Sequence, residues 1–238
     1  MTKGVLAGLI VALIPWVAGC PGGDVFVPPD GNVVLRDDFG GGNLEGDWEF
    51  LGAEESKLSV TEREGFLRVS PQDTGASCDE PEQSYLVLER TGDFIVETKM
   101  NYEAEVDLTL AGIAVEDDEG KTAALGMLLV AARGAGPSFE GILLRVDQCP
   151  DSNPRRTSDP FAFDEVYLRL ERTGDVFAGS YSRDGTSFTQ LGALTQDMAD
   201  TVRVGVGIIS SDFCTSNCAA NVFVDFDYFE VSLPEAED

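Results

Sequence analysis

From Val33 onward the chain is made of short apolar runs separated by turn signals, and no stretch repeats with the period of an amphipathic helix. This feature restricts the fold more than any other. A chain without helices must bury its apolar side chains between β-sheets, so it closes into a sandwich or a barrel. Strands are expected near residues 33–39, 47–51, 57–61, 65–70, 84–90, 93–102, 107–116, 122–131, 140–147, 164–172, 175–182, 187–191, 202–210 and 220–232. Asp184-Gly185, between Phe177–Tyr181 and Ser187-Phe188, is a hairpin signal. Glu116-Asp117-Asp118-Glu119-Gly120 reads as a solvated acidic tip, without the ligand spacing of an EF-hand loop.

The two ends of this β-rich region look like partners. The closing run, Asn221 to Val231, and the opening run, Val33 to Phe39, are both apolar stretches interrupted by aspartate. We expect them to lie side by side as last and first strands. At period 2, Asp225 and Asp227 share a face with Phe223 and Phe229, and Val222, Val224, Phe226 and Tyr228 form the other. The acidic face then looks either at water or at a cation.

One stretch occurs twice. Tyr85-Leu86-Val87-Leu88-Glu89-Arg90-Thr91-Gly92-Asp93 returns as Tyr167-Leu168-Arg169-Leu170-Glu171-Arg172-Thr173-Gly174-Asp175, with one position changed. The flanks do not match, so a duplicated domain is not implied. Both copies read as a strand entering a Thr-Gly hairpin, with glycine supplying a positive φ.

Charge and composition narrow the function. The 238 residues suffice for one large β-domain with a core, or for two small ones. Lys plus Arg number 16 against 43 Asp plus Glu, a formal charge of −27 that repels phosphate backbones and argues against nucleic acid as a partner. There is no histidine, which removes Ser-His-Asp and Cys-His catalysis and the usual zinc ligands. Any catalysis would rest on carboxylates.

Residues 1–19 read as an export signal, with Lys3 as the basic region and Gly4 to Ile14 as the apolar one. That run falls short of the ~20 residues of a membrane span. Val17-Ala18-Gly19-Cys20 resembles the bacterial lipobox. The resemblance implies a diacylated Cys20 as the mature N-terminus, an anchor rather than a span. Pro21 in place of Asp implies the outer membrane or cell surface in a Gram-negative host. Residues 20–31 read as a Gly/Pro tether, residues 32–233 as the folded domain and 234–238 as an acidic tail. Cys78, Cys149, Cys214 and Cys218 remain, and an exported chain favours disulfides, with three connectivities open. The short spacing pairs Cys214 with Cys218, leaving Cys78 with Cys149; free buried thiols are the alternative. These cysteines fall in three polar loops, Pro71–Gln83, Gln148–Pro160 and Ser211–Cys218, the kind of stiffened rim where ligands bind.

The order of motifs is familiar. Asp37-Asp38-Phe39, Trp48 and Gly65-Phe66-Leu67-Arg68-Val69 open the domain. Gly92-Asp93-Phe94-Ile95-Val96-Glu97-Thr98 and Ala111-Gly112-Ile113-Ala114-Val115 stand in its middle. Tyr167-Leu168-Arg169-Leu170, Tyr181-Ser182-Arg183-Asp184-Gly185 and Phe226-Asp227-Tyr228-Phe229 close it. This series, over about residues 32–233, resembles the concanavalin A-like lectin/glucanase superfamily. It is most similar to the non-catalytic sandwich modules appended to bacterial β-xylosidases. The resemblance implies an all-β, two-sheet antiparallel sandwich of jelly-roll type with its first and last strands adjacent.

It also implies a structural calcium site. The positions matching the superfamily's ligands are Asp38, the Gly40-Gly41-Gly42 turn with Gly41 at its centre, and Asp227, although Asp stands where the glycosidases carry Glu. Glycosidases of the superfamily use an acidic Glu-x-Asp-x-x-Glu strand. The nearest match is Glu103-Ala104-Glu105-Val106-Asp107, so Glu103 and Glu105 are the catalytic candidates, about 6.5–7 Å apart on one strand face, against the ~5–5.5 Å of retaining hydrolysis. Aromatic platforms for sugar are sought at Tyr102, Phe139, Phe161, Phe163 and Tyr167. The expectation is a lipid-anchored extracytoplasmic module that binds carbohydrate or another cell-envelope component without catalysis. A glycoside hydrolase and a purely structural envelope lipoprotein are the alternatives.

Overall fold

The computed structural model describes residues 32–52, 57–70, 84–103, 109–131, 137–146, 155–158, 165–210 and 223–234. Apart from 3-10 turns, among them Gly40–Gly42, the regular structure of the described residues is strand. In sheet A the spatial order is β13 (Thr189–Thr195), β12 (Val176–Ser182), β11 (Glu165–Thr173), β6 (Phe94–Glu103), β15 (Phe223–Ser232), β4 (Leu67–Val69) and β3 (Leu58–Ser59). β1 (Val33–Asp37) also pairs with β15. Sheet B runs β10 (Arg155–Thr157), β9 (Pro137–Val146), β8 (Thr122–Ala131), β7 (Thr109–Glu116), β14 (Thr201–Ser210), β5 (Ser84–Thr91) and β2 (Glu49–Gly52). Neighbours are antiparallel throughout. The all-β, two-sheet sandwich expected from the strand pattern is the fold observed. The ends meet as anticipated, with Arg36 opposite Glu230 and Asp37 opposite Phe229.

The core lies between the sheets. Val96, Met100, Leu168, Leu170, Phe177, Phe226 and Phe229 from sheet A meet Leu86, Leu88, Ile113, Leu125, Leu144, Val204 and Val206 from sheet B, all buried. Burying side chains of this size stabilises by about 1.5–3 kcal/mol each, against the entropy of ordering the chain.

The outer faces of the two sheets differ. On sheet B, Tyr85, Val87, Leu110, Ala114, Ala124 and Leu143 form a second buried cluster, so these strands are covered on both sides. Their sequences accordingly read as unbroken apolar runs, such as Ile142-Leu143-Leu144, whereas β11 alternates strictly. Across sheet B, Gly126, Gly112 and Gly207 stand opposite one another in successive strands. A Cβ on Gly112 would lie 2.3 Å from the Leu125 carbonyl oxygen, and one on Gly207 2.0 Å from that of Ser84. The backbones approach so closely along this row that only glycine fits.

Four local expectations are corrected. β15 does not keep a two-residue alternation: its register against β6 shifts between Phe226 and Tyr228. The extra residue, Asp227, forms a bulge, so Phe229 turns into the core beside Phe226 and Tyr228 turns outward. The first Thr-Gly turn is not a hairpin, because β5 belongs to sheet B and β6 to sheet A. The acidic tip after β7 is not wholly solvated. Asp117 is buried, and its Oδ1 accepts from the Glu119 and Lys121 amides while Oδ2 accepts from the Ala199 amide. Finally, Arg155–Thr157, inside what reads as a polar loop, pairs with β9.

Candidate functional site on the outer face of sheet A

The chain enters sheet A through a turn organised by Asp37, not by Asp38. On β1 the side chains of Leu35, Asp37 and the following Phe39 share a parity, and all three point inward. Asp37 is buried. Its Oδ1 accepts from the Phe39 amide at 2.8 Å, and its Oδ2 from the Glu45 amide at 2.7 Å and Trp48 Nε1 at 2.9 Å. These bonds hold Phe39 at a φ of 52° and seat Trp48 edge-on to Phe229 at 5.0 Å. The parity of Asp37 with Leu35 and Phe39 is the sequence signal that marks it.

The calcium candidates are placed as follows. Asp38 is exposed and faces Arg36 at 2.8 Å. The Gly41 carbonyl accepts from Asn43 Nδ2 at 3.5 Å, and Gly41 has a φ of 73° in the 3-10 turn. Asp227 lies 3.0 Å from Lys99 Nζ. Each of these groups has a donor from the chain itself, and among the described residues no three acidic or cysteine side chains are grouped so that they could hold a metal ion. As placed, they do not form the six-to-eight-oxygen shell that calcium takes.

A row of polar side chains crosses the outer face of sheet A. In strand register it runs Arg36, Glu230, Glu97, Arg169, Ser180 and Gln190, from β1 to β13. Glu230 and Glu97 are neighbours of like charge, which by itself destabilises. The flanking cations offset this. Arg36 Nη1 reaches Glu230 at 2.8 Å, and Arg169 donates twice to Glu97 Oε2, at 2.9 and 2.6 Å. Tyr228 Oη donates to Glu97 Oε1 at 2.6 Å, and the Arg36 guanidinium lies 4.1 Å above its ring. Burial, reinforced by the Glu97 charge, pushes the Tyr228 phenol well above its usual range. The same pattern holds elsewhere on this face. Asp225, which reads in sequence as uncompensated charge, is gripped by Arg63 and Arg68, themselves stacked on Phe66 and Phe223. Lys99 bridges Glu165 and Asp227.

The row ends in a cleft of about 210 Å³ lined by Arg169, Glu171, Ala178, Gly179, Ser180, Phe188 and Gln190. Ala178 and Gly179 give it a floor of small residues. The pairing of β12 with β13 shifts register between Gly179 and Ser180, so Ser180 faces Gln190 while Gly179 faces Gly192. The Arg169 guanidinium stacks 3.8 Å from the Phe188 ring centre and forms one wall.

The remaining candidates divide by placement. Tyr167 lies on the outer face with Lys99 5.6 Å from its ring centre. It packs under the Asp184-Gly185 turn, where a Cβ on Gly185 would lie 2.8 Å from the ring, so it supports the turn rather than offering a free platform. That turn is fastened by Asp184 Oδ1, which accepts from the Thr186 and Ser187 amides at 2.9 and 2.8 Å. These bonds hold its carboxyl well below the usual range. Glu103 closes β6 with its backbone opposite Phe223, and the backbones of Tyr102 and Phe139 pair with Val224 and Leu129. Glu105, Phe161, Phe163, Cys20, Cys78, Cys149, Cys214 and Cys218 lie outside the described residues. On sheet B, Glu116 is paired with Arg203 at 3.1 Å. Burial raises the Glu116 carboxyl, and Arg203 draws it back. Sequence reasoning did not find the cleft, because its residues come from β11, β12, β13 and the turn before β13, and no contiguous motif joins them.

Comparison with known proteins gives one family and one fold. Residues 36–232 match the family described as beta xylosidase C-terminal concanavalin A-like domain. Among solved structures, a xylan beta-1,4-xylosidase from Bacillus halodurans is similar at a TM-score of 0.61 and 20% identity, over 83% of this chain and 38% of that one. The Bacteroides ovatus xyloglucan PUL protein GH43B is similar at 0.62 and 21%, over 84% and 39%. A glycosyl hydrolase family protein from Mycobacterium fortuitum is similar at 0.55 and 10%, over 84% and 99%. The chain thus spans under two-fifths of the length of the first two. No curated protein sequence matches it significantly.

Proposed function

Because the chain belongs to the beta xylosidase C-terminal concanavalin A-like domain family, we propose that it is a carbohydrate-binding module without hydrolytic activity, held outside the cytoplasm by lipid on Cys20. The observation that supports this reading most is the contrast between the two outer faces. Sheet A presents a part-exposed row of charged, hydroxyl, amide and aromatic groups ending in a cleft, whereas the outer face of sheet B centres on a buried apolar cluster, with the Glu116–Arg203 ion pair beside it. Polar groups beside a flat wall are what a glycan surface requires. The carboxylates Glu97, Glu165, Asp225, Asp227 and Glu230 each have a basic partner, which suits positioning more than acid–base work.

A glycan array probed with the full chain in detergent, with and without calcium, tests the reading beside an assay for released reducing sugar. Binding without sugar release is the expected result. Sugar release that is lost in Glu105→Gln would instead establish the hydrolase, and silence in both assays the structural lipoprotein. Lipidation is checked separately: a palmitate analogue should label the wild-type chain in cells and leave Cys20→Ser unlabelled.

A further inference from the structure

We propose that the cleft between β11, β12 and β13 holds one ring of a neutral, hydroxyl-rich glycan, with Glu171, Ser180 and Gln190 as its hydrogen-bonding groups and the Arg169–Phe188 stack as its wall. The proposal rests on the carbohydrate reading above and gives it a place and a ligand class.

Shape comes first. Arg169 faces Ser180, and Glu171 faces Ala178, across the β11–β12 pairing. The row through Ala178 carries little side chain, while Glu171 rises on one side and Arg169 with Phe188 on the other. The register shift next to Gly179 brings Gln190 opposite Ser180 at the outer rim. The volume, about 210 Å³, lies below the ~300–1,000 Å³ that encloses a drug-sized ligand. It suits a single ring, with the rest of an oligosaccharide running out over the polar row.

Chemistry sets the class. Among the described residues, Glu97, Glu165, Asp225, Asp227 and Glu230 on this face are each paired with a cation; Glu171 stands apart from that pattern, lining the cleft beside a serine and a glutamine. A carboxylate only accepts, a hydroxyl and an amide both donate and accept, and together they complement adjacent sugar hydroxyls. Arg169 is not free to receive an acidic sugar, because Glu97 Oε2 takes its Nε and Nη2. With Glu171 in the cleft and a formal charge of −27 on the chain, a uronate is repelled. Fixed by Glu97 on one side and by the Phe188 ring on the other, the wall is pre-organised and loses little freedom on binding.

The test is titration calorimetry on the full chain in detergent, with neutral xylo-, gluco- and manno-oligosaccharides as probes and oligogalacturonate as the acidic control. Wild type is compared with Glu171→Ala, Gln190→Ala and the occluding Ala178→Trp, each checked by thermal melting. The expected result is binding of a neutral probe, weakened about tenfold by either truncation and abolished by the tryptophan, with oligogalacturonate bound more weakly or not at all. The two truncations keep the test open even where Ala178→Trp does not fold. Neutral-probe binding that survives all folded variants would overturn the site and leave the carbohydrate reading standing. Preference for oligogalacturonate would overturn the ligand class. A wild-type chain that binds no glycan would remove both.

Discussion

The two copies of the nine-residue stretch differ at one residue and fold into different sheets. Their backbones begin alike: Leu86 and Leu88 in the first, and Leu168 and Leu170 in the second, point into the shared core, and Gly92 and Gly174 both take positive φ. Beyond that they part. The first copy is β5 of sheet B and its turn crosses to sheet A; the second is β11 of sheet A and turns back within that sheet. The turns also touch, since the Gly174 amide donates to Asp93 Oδ1 at 2.7 Å. The side chains record the difference. Tyr85 is buried on the covered face, whereas Tyr167 stands on the open one. Arg172 is buried, capping the carbonyls of Gly174, Ala199 and Asp200, while Arg90 is half-exposed with one bond to its neighbour's carbonyl. The single changed position, Val87 against Arg169, is the one whose side chain meets opposite surroundings: an apolar cluster in one sheet, Glu97 and Phe188 in the other. Local sequence sets the turn, and the surface each sheet presents decides which variation is tolerated.

Exchanging the copies breaks the comparison most severely. Val87→Arg makes the first copy identical to the second and forces a guanidinium into a buried apolar cluster, across the strand pairing from the exposed Glu49. It should cost about 3–5 kcal/mol, read as a lowered urea midpoint. Next is Arg172→Ala, which strips three carbonyls of a buried charged donor and should cost about 2–4 kcal/mol. Arg90→Ala, its counterpart, should stay within about 1 kcal/mol. Arg169→Val, the reciprocal exchange, removes a part-exposed ion pair and should cost no more than about 1 kcal/mol.

The smallest effect is confined to alkaline pH. Burial raises the Tyr85 and Tyr228 phenols above their usual value. Below pH ~10 folded and unfolded chains both keep these protons, and the full contribution is present. Above it the unfolded chain releases them first, so stability falls as pH climbs toward the folded values. Melting scans above pH ~10 should show a shallower decline in Tyr85→Phe and Tyr228→Phe than in the wild type.

Much of this was readable in advance, and for stated reasons. Period-2 runs bounded by turn residues located the strands, and matching aspartate-broken ends anticipated the β1–β15 pairing. What escaped depends on register and on distant partners. The bulge at Asp227 inverts the facing of Tyr228 and Phe229, and no residue type announces it. Asp37 and Asp38 are adjacent and chemically alike; only their parity with Leu35 and Phe39 separates the buried one from the exposed one. The different fates of the two Thr-Gly turns follow from which strands lie alongside, a non-local fact. The cleft escaped for the same reason, since Glu171, Ser180 and Gln190 meet only across three strands.

One measurement addresses directly the claim that sheet B is covered and sheet A open at equivalent positions. Thiol-labelling rates are compared for V87C and R169C in the native full chain, over the background of its own cysteines. R169C should label about a hundredfold faster or more, with V87C reacting only through opening of the fold, and the two should converge in denaturant. Equal native rates would contradict the account.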